Sequence, residues 1–405
     1  MSVQLNEICE LIVDCPHSTA TDEGAGYPLI RTPNIGPGYF NLEGVHRVSK
    51  AAYDKRNLRA IPRPNDLILA REAPAGNVAI IPDGAEFCLG QRTVLIRPDA
   101  SKVYPLFLNY YLNAPEQRHK LLRNANGATV SHVNMPIIRN LSVDLPSVEA
   151  QKRIASILGA YDALIENNRK QIKLLEEAAQ RLYKEWFIDL RFPGHESVEI
   201  DPDTGLPEGW KESAFLDEVS FVRGKSYNAD NLVDASEQQL INLSNIAPFG
   251  GWLPGGEKPY SGNCRADQIV SSGDILLAVT DMTKERRLVG HAAMVPRSLS
   301  GSVISMDLIK LNPNNIAPMY LYCLLRFSGV ASMISMLANG TNVLHLKPES
   351  MNRVRILVPN LDVQGKFSQL VKPLFASIDC LSEQITIASE ARNRLLPELL
   401  GGTDD

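Results

Sequence analysis

Two long segments of the chain carry apolar residues alternately four and three positions apart. In the first, the stripe runs through Ile154, Leu158, Tyr161, Ile165, Asn168, Ile172, Leu175, Ala179, Leu182 and Trp186. In the second, it runs through Phe367, Val371, Leu374, Ile378, Leu381, Ile385, Ala388, Arg392, Leu395 and Leu399. This is a heptad seam, and it predicts a long amphipathic helix in each segment. A helix of about 40 residues is roughly 60 Å long. So narrow an apolar stripe needs a partner helix, and each segment can supply one to the other. Asn168 and Arg392 are polar seam positions; they either fix the register or mark an edge that faces water. Pro373 predicts a kink or break near the start of the second helix.

The chain ahead of each helix has a different rhythm. Short β-branched runs such as "NVAII", "TVLIR", "HAAMV" and "DLIKL" are punctuated by Gly, Pro, Asn and Asp. These predict short strands joined by turns. A helical stretch follows each strand-rich part: "PLFLNYYLNAPEQRHKLL" in the first, "APMYLYCLLRFSGVASMISML" in the second.

The two halves are copies. Residues 146–186 slide without a gap onto residues 359–399, and 11 of the 41 positions are identical, among them Gln151/Gln364, Ile165/Ile378, Gln171/Gln384 and Arg181/Arg394. Ordinary composition would give about two or three. "NGATVSHV" (126–133) and "NGTNVLHL" (339–346) match at the same offset of 213. Nearer each N-terminus the offset drifts, with "DLILA" (66–70) against "DILLA" (274–278), as loop insertions require. The chain is two diverged copies of one unit. "RFPGHESVEIDPDTGLPEGW" (191–210), rich in Pro, Gly and acid, predicts a linker between them.

With 405 residues, 44% hydrophobic and 21% charged, the composition is that of an ordinary globular protein. No apolar run approaches a membrane span, and the N-terminus has neither a basic region nor a cleavage signature. The six cysteines (Cys9, Cys15, Cys88, Cys264, Cys323 and Cys380) form no CxxC pair, so neither a disulfide framework nor a zinc site is expected, and a reducing cytoplasm is. The net charge of −5 argues weakly against nucleic acid until it is divided along the chain. Residues 1–145 carry 15 Lys+Arg against 14 Asp+Glu, and residues 209–353 carry 13 against 13. The acid lies in 146–208 (8 against 12) and 354–405 (5 against 7). The strand-rich parts can therefore present basic loops, while the helical parts suit protein contacts.

No phosphate-binding glycine loop, HExxH, GxSxG or adenine-methyltransferase tetrapeptide is present, and no catalytic or metal-ligating residue is nominated. A two-handed binding module is the reading these residues favour.

At this point the chain resembles the specificity subunit of type I restriction-modification systems. The resemblance rests on "LPSVEAQKRIASILGAYDALIENNRKQIKLLEE" and its looser copy "PNLDVQGKFSQLVKPLFASIDCLSEQI". It also rests on "WFIDLRFPGHE" followed by "GLPEGW", and on "GATVSHV" and "GTNVLHL" at the entry to each helix. Gly365, where the first copy has Lys152, and Pro373 depart from it. The resemblance implies an α+β fold of two tandem repeats, each a strand-rich target recognition domain followed by a long helix. The helices would pair as an antiparallel coiled coil with pseudo-twofold symmetry. Residues 1–145 and 209–353 would be the recognition domains, 146–190 and 354–405 the spacer helices, and 191–208 the linker. It implies a non-catalytic subunit that reads one half of a bipartite, asymmetric site on double-stranded DNA with each domain. Two methyltransferase subunits carrying S-adenosylmethionine would dock on the helices and methylate a flipped adenine. Restriction/translocase subunits using ATP and Mg2+ would complete the complex; no cofactor is implied for this chain, and no membrane. The alternatives are a DNA-reading subunit of another phage-defence system and a coiled-coil scaffold with no DNA role.

The two domains should read different bases, so residues shared by both copies are poor candidates for discrimination. Asn126, Gly127, Val130 and His132, with their mates, are expected to be structural: Gly127 and Gly340 to permit a turn, His132 and His345 to be hydrogen-bonded packing residues. Base readers are expected in polar loops where the copies differ. Arg grips guanine, and Asn or Gln grips adenine, in the major groove. The nominees are Arg71, Asn77, Gln91 and Arg92 in the first domain, and Asn263, Lys284, Arg286 and Arg287 in the second. Lys55, Arg56 and Arg59, in "YDKRNLRAIPR", are expected at phosphates. For each, the competing reading is a solvated surface charge. The helix seam is expected to bury Ile154, Leu158, Ile165, Ile172, Leu182, Val371, Ile378, Ile385 and Leu395.

Overall fold

A computed structural model describes residues 2–123 and 132–401. Asn126, Gly127 and Val130 lie outside the described residues. The chain divides into two compact units: residues 1–165 with 387–405, and residues 166–386. Each unit holds one strand-rich part and a portion of both long helices, Val148–Tyr183 and Leu361–Gly401.

The two units share one topology. In the first, a four-stranded antiparallel sheet has the order Cys9–Asp14, Thr93–Pro98, Leu67–Ala70, Val78–Ile80. Beside it lies a three-stranded sheet of Arg47–Val48, Tyr27–Ile30 and Cys88–Leu89, its last pair parallel. In the second unit the four strands are Val219–Arg223, Leu308–Pro313, Ile275–Ala278 and Ala292–Met294. The three are Lys258–Pro259, Gln239–Ile241 and Val303–Ile304, again with a parallel last pair. The central strands "LILA" and "ILLA" are buried at every position, as strands covered on both faces must be. Each strand-rich part is closed by pairing its first and last strands: Ser2–Gln4 with Ser142–Asp144, and Lys211–Ala214 with Arg355–Val358.

The repeated glutamines explain how each long helix is held. Gln151 and Gln364 are 1% and 0% exposed. Gln151 Oε1 accepts the Tyr104 N–H at 2.8 Å, and its Nε2 donates to the Pro146 carbonyl at 3.0 Å. Gln364 accepts from Ala317 N–H and donates to Pro359, both at 2.7 Å. Tyr104 and Ala317 are the N-caps of the short helices Pro105–Asn113 and Pro318–Phe327. One buried amide thus satisfies a free helix-end N–H and fixes the entry to the long helix.

The seam behaves differently along its length. Ile154 and Leu158 join the core of the first unit with Leu67, Val94 and Phe107, and Leu395 and Leu399 pack against that core. In the second unit Tyr183, Trp186, Phe367 and Val371 merge into the core in the same way, with Leu182 and Ile378 against it. Ile165 is buried, while Ile172 and Ile385 are half-buried. The helices are antiparallel: within the second unit Asn168 meets Gln384, whereas Trp186 meets Phe367. Asn168 is 2% exposed and donates to Gln384 Oε1 at 3.0 Å, so it is a seam residue and not a wet edge. In the first unit Arg392 pairs with Asp162, which also accepts from Tyr110 Oη.

One expectation needs correction. Pro373 does not break the second helix, which is continuous from Leu361 to Gly401. Pro373 and Gln369, whose carbonyl loses its N–H partner, are both exposed, and water can satisfy that group. The segment between the two copies holds an ordered turn: Asp201 N–H reaches Leu206 O at 2.9 Å, and Glu208 N–H reaches Glu199 O at 2.8 Å. It is flanked by aromatic packing of Phe192 on Trp210, with ring centroids 5.0 Å apart.

Candidate nucleic-acid interface

Strand register brings the candidate residues of the first unit to one end of its four-stranded sheet. Asp14 lies opposite Val94, and Ala70 lies opposite Thr93. The ends of two strands and the start of a third therefore meet, and Asp14, Arg71, Gln91 and Arg92 leave the sheet together. Arg71 N–H donates to Arg92 O at 2.8 Å, and Val133 N–H donates to Arg71 O at 3.1 Å.

A chain of polar contacts crosses this end. Arg71 Nη1 donates to Asp14 Oδ2 at 2.7 Å, its Nε to Val133 O at 2.8 Å, and its Nη2 to His132 Nε2 at 2.7 Å. Because a guanidinium only donates, Nε2 must accept, and the His132 proton sits on Nδ1. That Nδ1 faces Glu72 Oε1, and the second Glu72 oxygen lies 2.8 Å from Arg92 Nε in an ion pair. Asp14 also lies 3.2 Å from His17 Nε2. Arg92 is the exposed end of the chain, with 58% of its side chain open, against 7% for Arg71.

Not every nominee stays available. Arg71 is buried, with each of its three side-chain nitrogens in a hydrogen bond. Asn77, also buried, donates to Ile35 O at 2.8 Å. Arg56, 5% exposed, donates to Leu89 O at 2.5 Å and Ser18 O at 3.0 Å. A base or phosphate contact needs free donors at the surface, and these three hold loops together instead. Arg59 is exposed, with one Nη on Asp14 O at 3.0 Å. Lys55 is exposed. Gln91 is half-buried and donates to His17 O at 3.1 Å and Thr19 Oγ1 at 3.0 Å.

The second unit repeats the backbone frame with other side chains. Val279 N–H donates to Asp307 O at 2.9 Å, and Leu346 N–H donates to Val279 O at 2.8 Å. Val279 therefore stands where the first unit has Arg71, Asp307 where it has Arg92, and His345 where it has His132. His345 is exposed; the packing role expected of both histidines holds for His132 alone. Gly340 does serve a turn: its φ is +148°, and a Cβ there would stand 1.9 Å from Val343 O.

The basic loop 282–290 is organised by Asp281, which is 0% exposed. Its carboxylate accepts Leu288 N–H at 2.6 Å, Val289 N–H at 3.1 Å, and both the N–H and hydroxyl of Thr283 at 2.7 Å. Burial alone would raise this carboxyl; the hydrogen bonds outweigh it and hold it below its ordinary range. Arg286 is turned inward onto the carbonyls of Ser335 and Ala338, at the C-terminal end of the helix Val330–Met336. It leaves the set of candidate readers for that reason, while Lys284, Arg287 and Asn263 are exposed. Sequence reasoning missed Asp14, Glu72 and Asp281. Asp14 lies 57 residues from Arg71, and no spacing rule links them.

Cys9, Cys15 and Cys88 are pushed up by burial, Cys9 to about 12 and Cys88 to about 11, so these thiols stay protonated near neutrality. Among the described residues no group of three or more His, Cys, Asp or Glu is placed to hold a metal, and no single helix is long and apolar enough to cross a membrane.

The family described as the type I restriction modification DNA specificity domain matches residues 1–177, and the internal repeat carries the same unit through the rest of the chain. Residues 1–177 thus carry a type I specificity domain, and the whole chain resembles the specificity subunits. The MjaIX specificity subunit of Methanocaldococcus jannaschii is 26% identical over 98% of this chain and 92% of its own length. The putative MjaX subunit of the same organism is 24% identical with the same coverage. The crystal structure of the type I restriction-modification S subunit from M. genitalium has a TM-score of 0.62 at 14% identity, and the match covers 100% of this chain and 96% of that one. That likeness is one of fold: tandem strand-rich parts, each followed by a long helix. As a specificity subunit the chain is a DNA-recognition component and not the catalyst.

Proposed function

We infer that the chain reads a bipartite, asymmetric site on double-stranded DNA. Residues 1–145 and 209–353 are the two readers, 146–190 and 354–405 the helices that set the gap, and 191–208 the connection. The observation that carries this is the pair of sheet ends described above. One backbone frame is built twice, and the side chains on it differ at equivalent register: Arg71, Arg92 and Asp14 against Val279, Asp307 and Arg223. A structural joint would not need that divergence, whereas two readers of different half-sites would. The helical segments carry the acidic excess and suit two methyltransferase subunits holding S-adenosylmethionine. Restriction/translocase subunits with ATP and Mg2+ would act on the same assembly. Exposed Arg92, Arg59 and Lys55 in the first reader, and Lys284, Arg287 and Asn263 in the second, are the candidate contacts.

The test is a map of modified adenines in a clean host expressing the chain with its neighbouring methyltransferase. The expected result is one bipartite motif with an unspecified gap. Lys284→Ala with Arg287→Ala should relax the second half-site and leave the first intact. A stable complex that writes no modification would sink the reading.

A further inference from the structure

We propose that Arg92 reads a guanine in the first half-site, and that Glu72 and His132 are positioning residues that aim it. This rests on the DNA-reading function inferred above and names the chemistry of one of its readers.

Arg92 has two parts with different duties. Its Nε is held 2.8 Å from Glu72 Oε2, while 58% of the side chain is open to solvent. The carboxylate beside Nε restrains the guanidinium, and the open side chain leaves its donors accessible to a ligand. Guanine offers two acceptors, O6 and N7, on its major-groove edge, and a restrained guanidinium matches them.

The support behind Glu72 is unusually deep for a surface arginine. His132 Nδ1 donates to Glu72, His132 Nε2 accepts from Arg71 at 2.7 Å, and Arg71 is tied to Asp14 at 2.7 Å. Arg71, Glu72, Arg92, His132 and Asp14 come from four separate stretches of chain. Each link has one possible direction, because Arg71 can only donate and Glu72 can only accept. The Arg92 backbone is also pinned: its φ is +63°, and its carbonyl receives the Arg71 N–H. Locking the rotamer in advance lowers the entropy lost on binding and penalises a base that cannot accept two hydrogen bonds. The second reader supplies the contrast, since Asp307 at this register is an acceptor, with Oδ1 taking the Thr280 hydroxyl at 2.9 Å.

The experiment compares the methylated motifs written by the intact complex carrying Arg92→Ala, Arg92→Lys or Glu72→Gln, and the binding of each to specific and random duplexes. Arg92→Ala and Arg92→Lys should each lose preference for one guanine of the first half-site by roughly 5- to 100-fold. The second half-site serves as an internal control and should not change. Arg92→Lys should keep its affinity for random DNA, because the charge remains. Glu72→Gln should lose a smaller part of the guanine preference with no loss of random-DNA affinity, which a purely structural role would not produce. If Arg92→Ala does not assemble, Arg92→Lys carries the same readout. An unchanged motif with Arg92→Lys, or a uniform loss of affinity for all sequences with the motif intact, overturns base reading by Arg92. A wild-type complex that writes no bipartite motif overturns the functional reading itself, and Arg92's role with it.

Discussion

The sheet end of the first reader and that of the second are the same backbone carrying opposite solutions. The first holds its end together with side chains: Arg71, Asp14, His132 and Glu72 form a charged chain through the surface. The second has Val279 at the Arg71 position and organises its longer loop around one buried carboxylate, Asp281, that collects backbone N–H groups. Paired strands and helix entries are shared because they are satisfied by main chain and by repeated glutamines. Loop supports are free to differ, because each has only its own loop to satisfy. Divergence is therefore concentrated where a side chain serves its own loop and not the shared frame.

The largest expected effect bears on that difference. Asp281→Ala leaves three backbone N–H groups without their acceptor and should destabilise the second unit by about 3 kcal/mol, read as a lower urea midpoint. Acid should act the same way. The folded carboxyl titrates below its unfolded value, so its contribution is present above the usual carboxylate range and is lost as pH falls through the folded value. If Asp281→Ala is neutral, the loop is held by something other than this carboxylate.

Next come the repeated glutamines. Gln151→Ala and Gln364→Ala each expose a helix-cap N–H and a proline carbonyl to an apolar interior, so each should cost about 1–3 kcal/mol. Their geometries match to within a few tenths of an ångström, and the two costs should be alike. Unequal costs measured by denaturant unfolding would show that the two joints are not equivalent.

The smallest effect concerns His291, which stands at the register of Asn77: His291 O accepts from Ala278 N–H at 3.0 Å, as Asn77 O does from Ala70 N–H at 2.8 Å. Burial, and then the charge of Arg326, hold His291 below its ordinary value. A depressed histidine contributes stability that is fully present above the unfolded value, about 6.5, and is lost as pH falls below it. Between pH 7.5 and 5.5 the urea midpoint should therefore fall further for the wild type than for His291→Asn, which gives the second reader the first reader's residue. Parallel curves would mean that His291 is protonated without cost.

Much of this molecule could be read along the chain. The duplication was visible as identities at one offset, and the long helices as a stripe spaced four and three, because both are periodic and local. Gln151 and Gln364 stood out as repeated residues, although their shared task as helix-entry clamps needed coordinates. Pro373 shows the limit of a local rule: its missing hydrogen bond is harmless where water can replace it. The candidate readers show a deeper limit. Arg71 and Arg92 look alike in sequence, both in polar loops that follow or precede a strand. Only strand register, which brings Asp14 beside Arg71 and leaves Arg92 outside, decided that one is a buried tie and the other an exposed cation. Composition and spacing determined what kind of chain this is, because apolar periodicity and repetition are properties of the chain itself. Which cations are free to meet a ligand was decided by tertiary structure, because an arginine's availability depends on acceptors supplied from distant segments.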